Sequence, residues 1–131
     1  MLVRPDFRFF AEGLSYNQAG NDAVRKGGVS MAVICTEAEG CLTACISGEL
    51  DHHHAKEIME ELDRWIAAAM PRILVLDLGE LTFTDSSGIA VLIRASRRMG
   101  HFGGRMAVCR VPEQAKKVFW AAGLQKIIHF A

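Results

Sequence analysis

The chain has 131 residues, half of them apolar, and no net charge at pH 7. That length fits one domain and that composition fills a packed core. No apolar run approaches the roughly 20 residues that span a bilayer, and the first residues lack a signal peptide's apolar stretch, so a cytoplasmic protein is expected.

Residues 1–30 fit no plan of regular elements. Arg8-Phe9-Phe10 offers a little apolar surface, and residues 16–22 are polar and turn-rich. Lys26-Gly27-Gly28-Val29 lies shortly before Met31 and can be encoded by a purine-rich ribosome-binding stretch. Met31 is therefore the expected native start, with residues 1–30 as translated upstream sequence. If they are protein, they are expected to be a flexible extension.

Residues 31–36 predict a strand, Glu37-Ala38-Glu39-Gly40 a turn and residues 41–49 a second strand, together a hairpin. Asp51 predicts the N-cap of a helix. Ala55, Ile58, Met59, Leu62, Trp65, Ile66 and Ala69 recur at i, i+3, i+4, i+7 and form its apolar stripe, and Pro71 stops it. Residues 73–78 are apolar almost throughout, as in a strand buried on both faces. Thr82-Phe83-Thr84 reads as a short link. A helix over residues 89–99 presents Ile89, Leu92, Ile93 and Ser96 on one side, ending at Gly100. Residues 105–110 predict a strand. Pro112 opens a helix with Ala115, Val118, Phe119 and Ala122 inward, and Gly123 closes it. Residues 127–130 form a last short strand or tail. This alternation predicts an α/β fold: a mixed, mostly parallel sheet with packed helices and an antiparallel N-terminal hairpin.

The four cysteines, Cys35, Cys41, Cys45 and Cys109, all fall in strand-like segments without a C-x-x-C pair. They are expected to be small buried apolar residues in a reducing compartment. Cys41 and Cys45 would share a strand face about 13 Å apart, too far for a disulfide.

Charge is split along the chain. Residues 1–88 hold 7 Lys/Arg and 14 Asp/Glu, while residues 89–131 hold 8 Lys/Arg and one acid, Glu113. The basic half can steer an acidic partner or a nucleotide. No aromatics interleave its basic residues, so solvated helix faces are expected and direct nucleic-acid binding is not.

The segment richest in chemistry is Asp85-Ser86-Ser87-Gly88, at a strand-to-helix turn. It sets two hydroxyls on a helix N-terminus, where unpaired N–H groups favour an anion, including a phosphate on the serine itself. The plainer reading is a cap. Asp51 has the same double reading. A serine-hydrolase elbow is half matched, but Thr84 stands where the first glycine belongs, and the base would have to be His101 or His129 with Glu113 as orienter. His52-His53-His54 point about 100° apart on a helix and do not converge on one metal ion. No P-loop is present, so nucleotide is expected only through a partner.

Several separate stretches carry a resemblance: Ser47-Gly48-Glu49-Leu50-Asp51-His52-His53, Leu76-Asp77-Leu78, Phe83-Thr84-Asp85-Ser86-Ser87-Gly88, Gly103-Gly104-Arg105-Met106-Ala107-Val108 and Ala122-Gly123-Leu124-Gln125-Lys126-Ile127-Ile128. From Met31 to Ala131 the chain resembles the STAS domain, the fold of anti-sigma factor antagonists, and within that family the sporulation antagonists. The resemblance implies a regulatory protein, not an enzyme, without a cofactor and monomeric. Its implied partners are an anti-sigma factor serine kinase, a serine phosphatase and, indirectly, a sigma factor. It implies phosphorylation on Ser86, and a partner and switch surface of Glu49, Asp51, His52, Asp85, Ser87 and Gly88. Ser87 is a secondary acceptor or a hydrogen-bonding neighbour. A stress-response or transporter-linked STAS module is the alternative, and a small serine hydrolase the remote one. Ile89-Ala90 stands where relatives often carry Leu-Gly, and His54 extends the histidine pair by one.

Overall fold

The computed structural model describes residues 32–131. The expectations for residues 1–30, and for a strand beginning at Met31, lie outside the described residues.

Strands β1 (Ala32–Ala38) and β2 (Cys41–Leu50) form the antiparallel hairpin. Its turn is shorter than expected. Only Glu39 (φ 53°) and Gly40 (φ 82°) make it, both left-handed, the two-residue geometry that matches strand twist. Helix α1 (His52–Ala69) buries Ala55, Ile58, Leu62 and Ile66, with Met59, Trp65 and Ala69 at the margin of the core. It ends at Met70, which turns left-handed (φ 45°) ahead of Pro71.

Strand β3 (Ile73–Asp77) runs parallel to residues 41–45 of β2. Residues 81–84 are then a strand, β4 (Leu81–Thr84), rather than the expected link, and β4 pairs in parallel with residues 48–50 of β2. Their register shifts between Gly48 and Glu49, where Gly48 has φ 90°. A turn at Gly79-Glu80 separates β4 from β3 and leaves it too short for an alternation pattern to declare itself.

Helix α2 (Ser87–His101), strand β5 (Arg105–Cys109), helix α3 (Glu113–Ala121), a 3₁₀ turn (Leu124–Lys126) and strand β6 (His129–Phe130) complete the domain. The sheet order is β1-β2-β3-β5-β6, and every pairing except the hairpin is parallel. Each parallel step moves the same way across the sheet. Right-handed crossovers therefore carry the helices to one face. On that face Leu42, Ala44, Ile46, Leu74, Leu76 and Val108 meet Ile58, Leu62, Ile66, Leu92 and Met99. Burying each large aliphatic side chain contributes about 1.5–3 kcal/mol.

Two inner faces differ from expectation. In α2 burial centres on Gly88, Val91, Leu92, Ala95 and Met99, while Ile89 and Ile93 are only partly covered. In α3 Ala115 and Phe119 are buried as expected, but Ala122 is exposed because the helix stops at Ala121. The one-sided layering also corrects the cysteines. Cys35 is buried toward α1, whereas Cys41, Cys45 and Cys109 are half-buried on the sheet's other face, and all four are free thiols. Burial pushes the Cys35 thiol well up. Burial, then the nearby Asp77 carboxylate, raises Cys45 and Cys109.

Candidate functional site

Leu50 and Thr84 stand opposite each other at the ends of β2 and β4. The next residues, Asp51 and Asp85, are thus neighbours, and each leads into a helix. The N-termini of α1 and α2 come together at one end of the sheet. Both present backbone N–H groups that have no intrahelical partner.

Two carboxylates take up those donors. Asp51 is extended, and its Oδ1 accepts from His53 N at 3.0 Å and His54 N at 3.1 Å. The same oxygen lies 2.7 Å from the His54 ring Nδ1. Burial pushes the Asp51 carboxyl up, but the His54 ring, the His54 amide and the His53 amide together hold it below its ordinary 3.8. Asp85 spans both helices: Oδ1 accepts from Ser87 N at 2.8 Å, and Oδ2 accepts from His52 N at 3.3 Å.

This arrangement leaves Ser86 without the capping role. It sits at the cap position of α2, but in a helical conformation (φ −65°, ψ −14°), and its side chain makes no capping bond. Asp85 caps the helix in its place. Ser86 is exposed with its hydroxyl uncommitted, and Ser87 behind it is half-buried. Glu49 is exposed on β2, opposite Phe83, which is 42% exposed. The structure therefore brings His52, Asp85 and Ser87 together beside Ser86 by direct hydrogen bonds, places Asp51 next to His52 at the start of α1, and sets Glu49 two residues before Asp51.

Gly88 has a different place. It is buried, and a Cβ there would overlap Thr84 Oγ1 and press on Leu50. Its close approach is to the loop's own support rather than to an outside surface. Thr84 is fully buried, with Oγ1 2.9 Å from Leu50 O and 3.0 Å from Asp85 O. Its backbone is held from α3: Thr84 N donates to Gln114 Oε1 at 3.0 Å, and Gln114 Nε2 donates to Thr84 O at 2.9 Å. The sequence motif includes Thr84 without disclosing this role. Gln114 carries no sequence signal, because its partner is 30 residues away and no local pattern links them.

An open groove of about 470 Å³ runs from this end between α1 and α2, lined by His52, Met59, Ser87, Ala90 and Arg94. Arg94 is tied across it to Asp63 at 2.8 Å. The hydrolase constellation does not assemble. His101 ends α2, about 22.5 Å from Ser86 at 1.5 Å per residue, and His129 lies on β6. The His52 and His53 rings meet edge to face at 5.8 Å, and among the described residues no His/Cys/Asp/Glu group is arranged to hold a metal ion. Among the same residues no helix is long and apolar enough to cross a membrane.

Comparison with known proteins agrees with the motifs. The STAS domain family matches residues 32–131. An anti-sigma F factor antagonist of Paenibacillus polymyxa is 36% identical over 89 residues, covering 68% of this chain and 76% of the relative. The fold is that of the anti-sigma factor antagonist SpoIIAA in its unphosphorylated form, with TM-score 0.66 and 24% identity over 76% of this chain and 88% of that one. The phosphorylated form of SpoIIAA, a Bacillus cell fate determinant, matches with TM-score 0.60 and 24% identity over 76% and 91%. The chain belongs to the STAS domain family.

Proposed function

We infer that this protein is an anti-sigma factor antagonist switched by phosphorylation of Ser86. Unphosphorylated, it binds an anti-sigma factor that is also a serine kinase and releases the sigma factor held there. The kinase phosphorylates Ser86, the complex parts, and a serine phosphatase resets the switch. The Paenibacillus relative carries the name anti-sigma F factor antagonist, and SpoIIAA has been solved in unphosphorylated and phosphorylated forms. The observation that carries the reading is Ser86 itself: an exposed, uncommitted hydroxyl whose capping role is taken by Asp85.

The charge argument is local. Phosphoserine adds about −1.5 to −2 charges at neutral pH. The N-terminus of α2 tolerates them, and its first turn has no acidic residue of its own. The surface around it is already acidic through Asp85, Asp51 and Glu49. A partner fitted to the neutral serine then meets like charge and desolvation worth several kcal/mol. Since about 1.4 kcal/mol is tenfold in affinity, one phosphate releases the partner without refolding the domain. The protein needs no cofactor for this; nucleotide enters bound to the kinase. The expected setting is the cytoplasm, the active species a monomer, and the circuit sporulation, with a stress response as the other setting of the same device.

The test is binding of Ser86 variants to the cognate anti-sigma factor by calorimetry. Ser86→Ala is expected to bind as the unphosphorylated wild type does and to resist release by ATP. Ser86→Asp is expected to bind at least about tenfold more weakly. Equal, ATP-insensitive binding by wild type and both variants would refute the charge switch.

A further inference from the structure

Strand β4 is paired on one side only, with β2. On its other side the groups of Thr84 are satisfied by one side chain. The Gln114 carboxamide presents its oxygen to Thr84 N and its nitrogen to Thr84 O, at 3.0 and 2.9 Å, as a neighbouring strand would. Gln114 lies in the first turn of α3, which packs on β4. Thr84 is the residue before Asp85, and Asp85 holds both His52 N and Ser87 N. A continuous chain of bonds thus runs from α3 through Thr84 and Asp85 to the turn that displays Ser86.

We propose that Gln114 is a positioning residue for the phospho-acceptor: its amide clamp on Thr84 sets how Ser86 is presented to the kinase. The proposal rests on the Ser86 switch described above and adds a residue from a separate helix. In the transfer, Ser86 Oγ bonds to the γ-phosphorus of ATP, the bond to ADP breaks, and the hydroxyl proton passes to the kinase's base. Gln114 touches none of these atoms. It acts by narrowing the positions available to the serine before the kinase arrives, which is where a positioning group contributes to rate.

Two variants separate the two halves of the clamp. Gln114→Met keeps the length and removes both bonds. Gln114→Glu keeps an acceptor for Thr84 N but puts an oxygen opposite Thr84 O. The measurements are amide hydrogen exchange on the free protein and single-turnover phosphorylation by the cognate anti-sigma kinase with ATP. Gln114→Met is expected to lose about fivefold to thirtyfold of the protection at Thr84 N, the range for one or two hydrogen bonds, while β3 amides keep theirs. Gln114→Glu is expected to retain protection at Thr84 N. Both are expected to slow transfer at saturating kinase by a similar factor, with the affinity of the kinase for ATP unchanged. Unchanged exchange in Gln114→Met overturns the clamp, and loosened exchange with wild-type transfer overturns the positioning role. If wild type takes no phosphate from the kinase, the switch reading fails first and the positioning role with it, an outcome told apart by the wild-type lane alone. Should Gln114→Met not fold, Gln114→Glu decides: wild-type transfer by that variant overturns the proposal.

Discussion

Asp85 holds two amides that belong to different helices, and this one carboxylate leaves Ser86 free. A serine at a helix start normally spends its hydroxyl on the cap. Here the residue before it does so, and the Ser86 hydroxyl is left uncommitted. The support beneath is equally local. Gly88 is glycine because Thr84 Oγ1 and Leu50 occupy the space a Cβ would need. Thr84 cannot retreat, since its hydroxyl is directed at Leu50 O and Asp85 O. Gly88→Ala is therefore expected to destabilise the domain by about 1–3 kcal/mol, the cost of overpacking a filled site. Urea unfolding of the variant measures this. A loss below about 0.5 kcal/mol, within the range of an ordinary surface substitution, would show that the Thr84–Gly88 contact is not tight.

At the scale of elements, the site exists because β2 and β4 end in register and each releases a helix at that point. The N-termini of α1 and α2 are held by acids from the residues just before them. The stability of the α1 N-terminus is accordingly pH-dependent, with a sign fixed by Asp51. Its folded carboxyl titrates below its ordinary 3.8, so the unfolded chain takes up the proton first. The contribution is complete above the ordinary value of 3.8 and is lost as pH falls through the lower folded value. Acid unfolding followed by circular dichroism is expected to be less steep in Asp51→Asn than in wild type. An identical acid limb would remove Asp51 from the account. Much at this scale is legible in the sequence: α1's apolar stripe, the Asp51 cap and the strand–helix alternation all declare themselves by periodicity or spacing. Strand β4 does not, because pairing along β2 is a tertiary fact that three or four residues cannot announce. The inner face of α2 is hidden for a related reason. Gly88, Val91, Ala95 and Met99 are buried by what packs on them, and small residues give a weak hydrophobic signal.

For the whole molecule, the one-sided sheet places the proposed switch at one end of a small domain. The helices stack on one face, and Ser86 is exposed at the end where α1 and α2 begin, so under the proposed switch a phosphate there would add charge at the surface rather than in the core. The proposed acceptor is a reading of the Asp-Ser-Ser-Gly motif. Its mounting is not, because Gln114 and Thr84 meet only through the fold. The central claim is that Ser86 is the single phosphate acceptor of a partner-binding switch. Intact-mass analysis after incubation with the cognate anti-sigma kinase and ATP, on wild type and Ser86→Ala, tests it most directly. The account predicts one added phosphate on wild type and none on the variant. A phosphate that persists in Ser86→Ala, or none on wild type while the two proteins still form a complex, would contradict it.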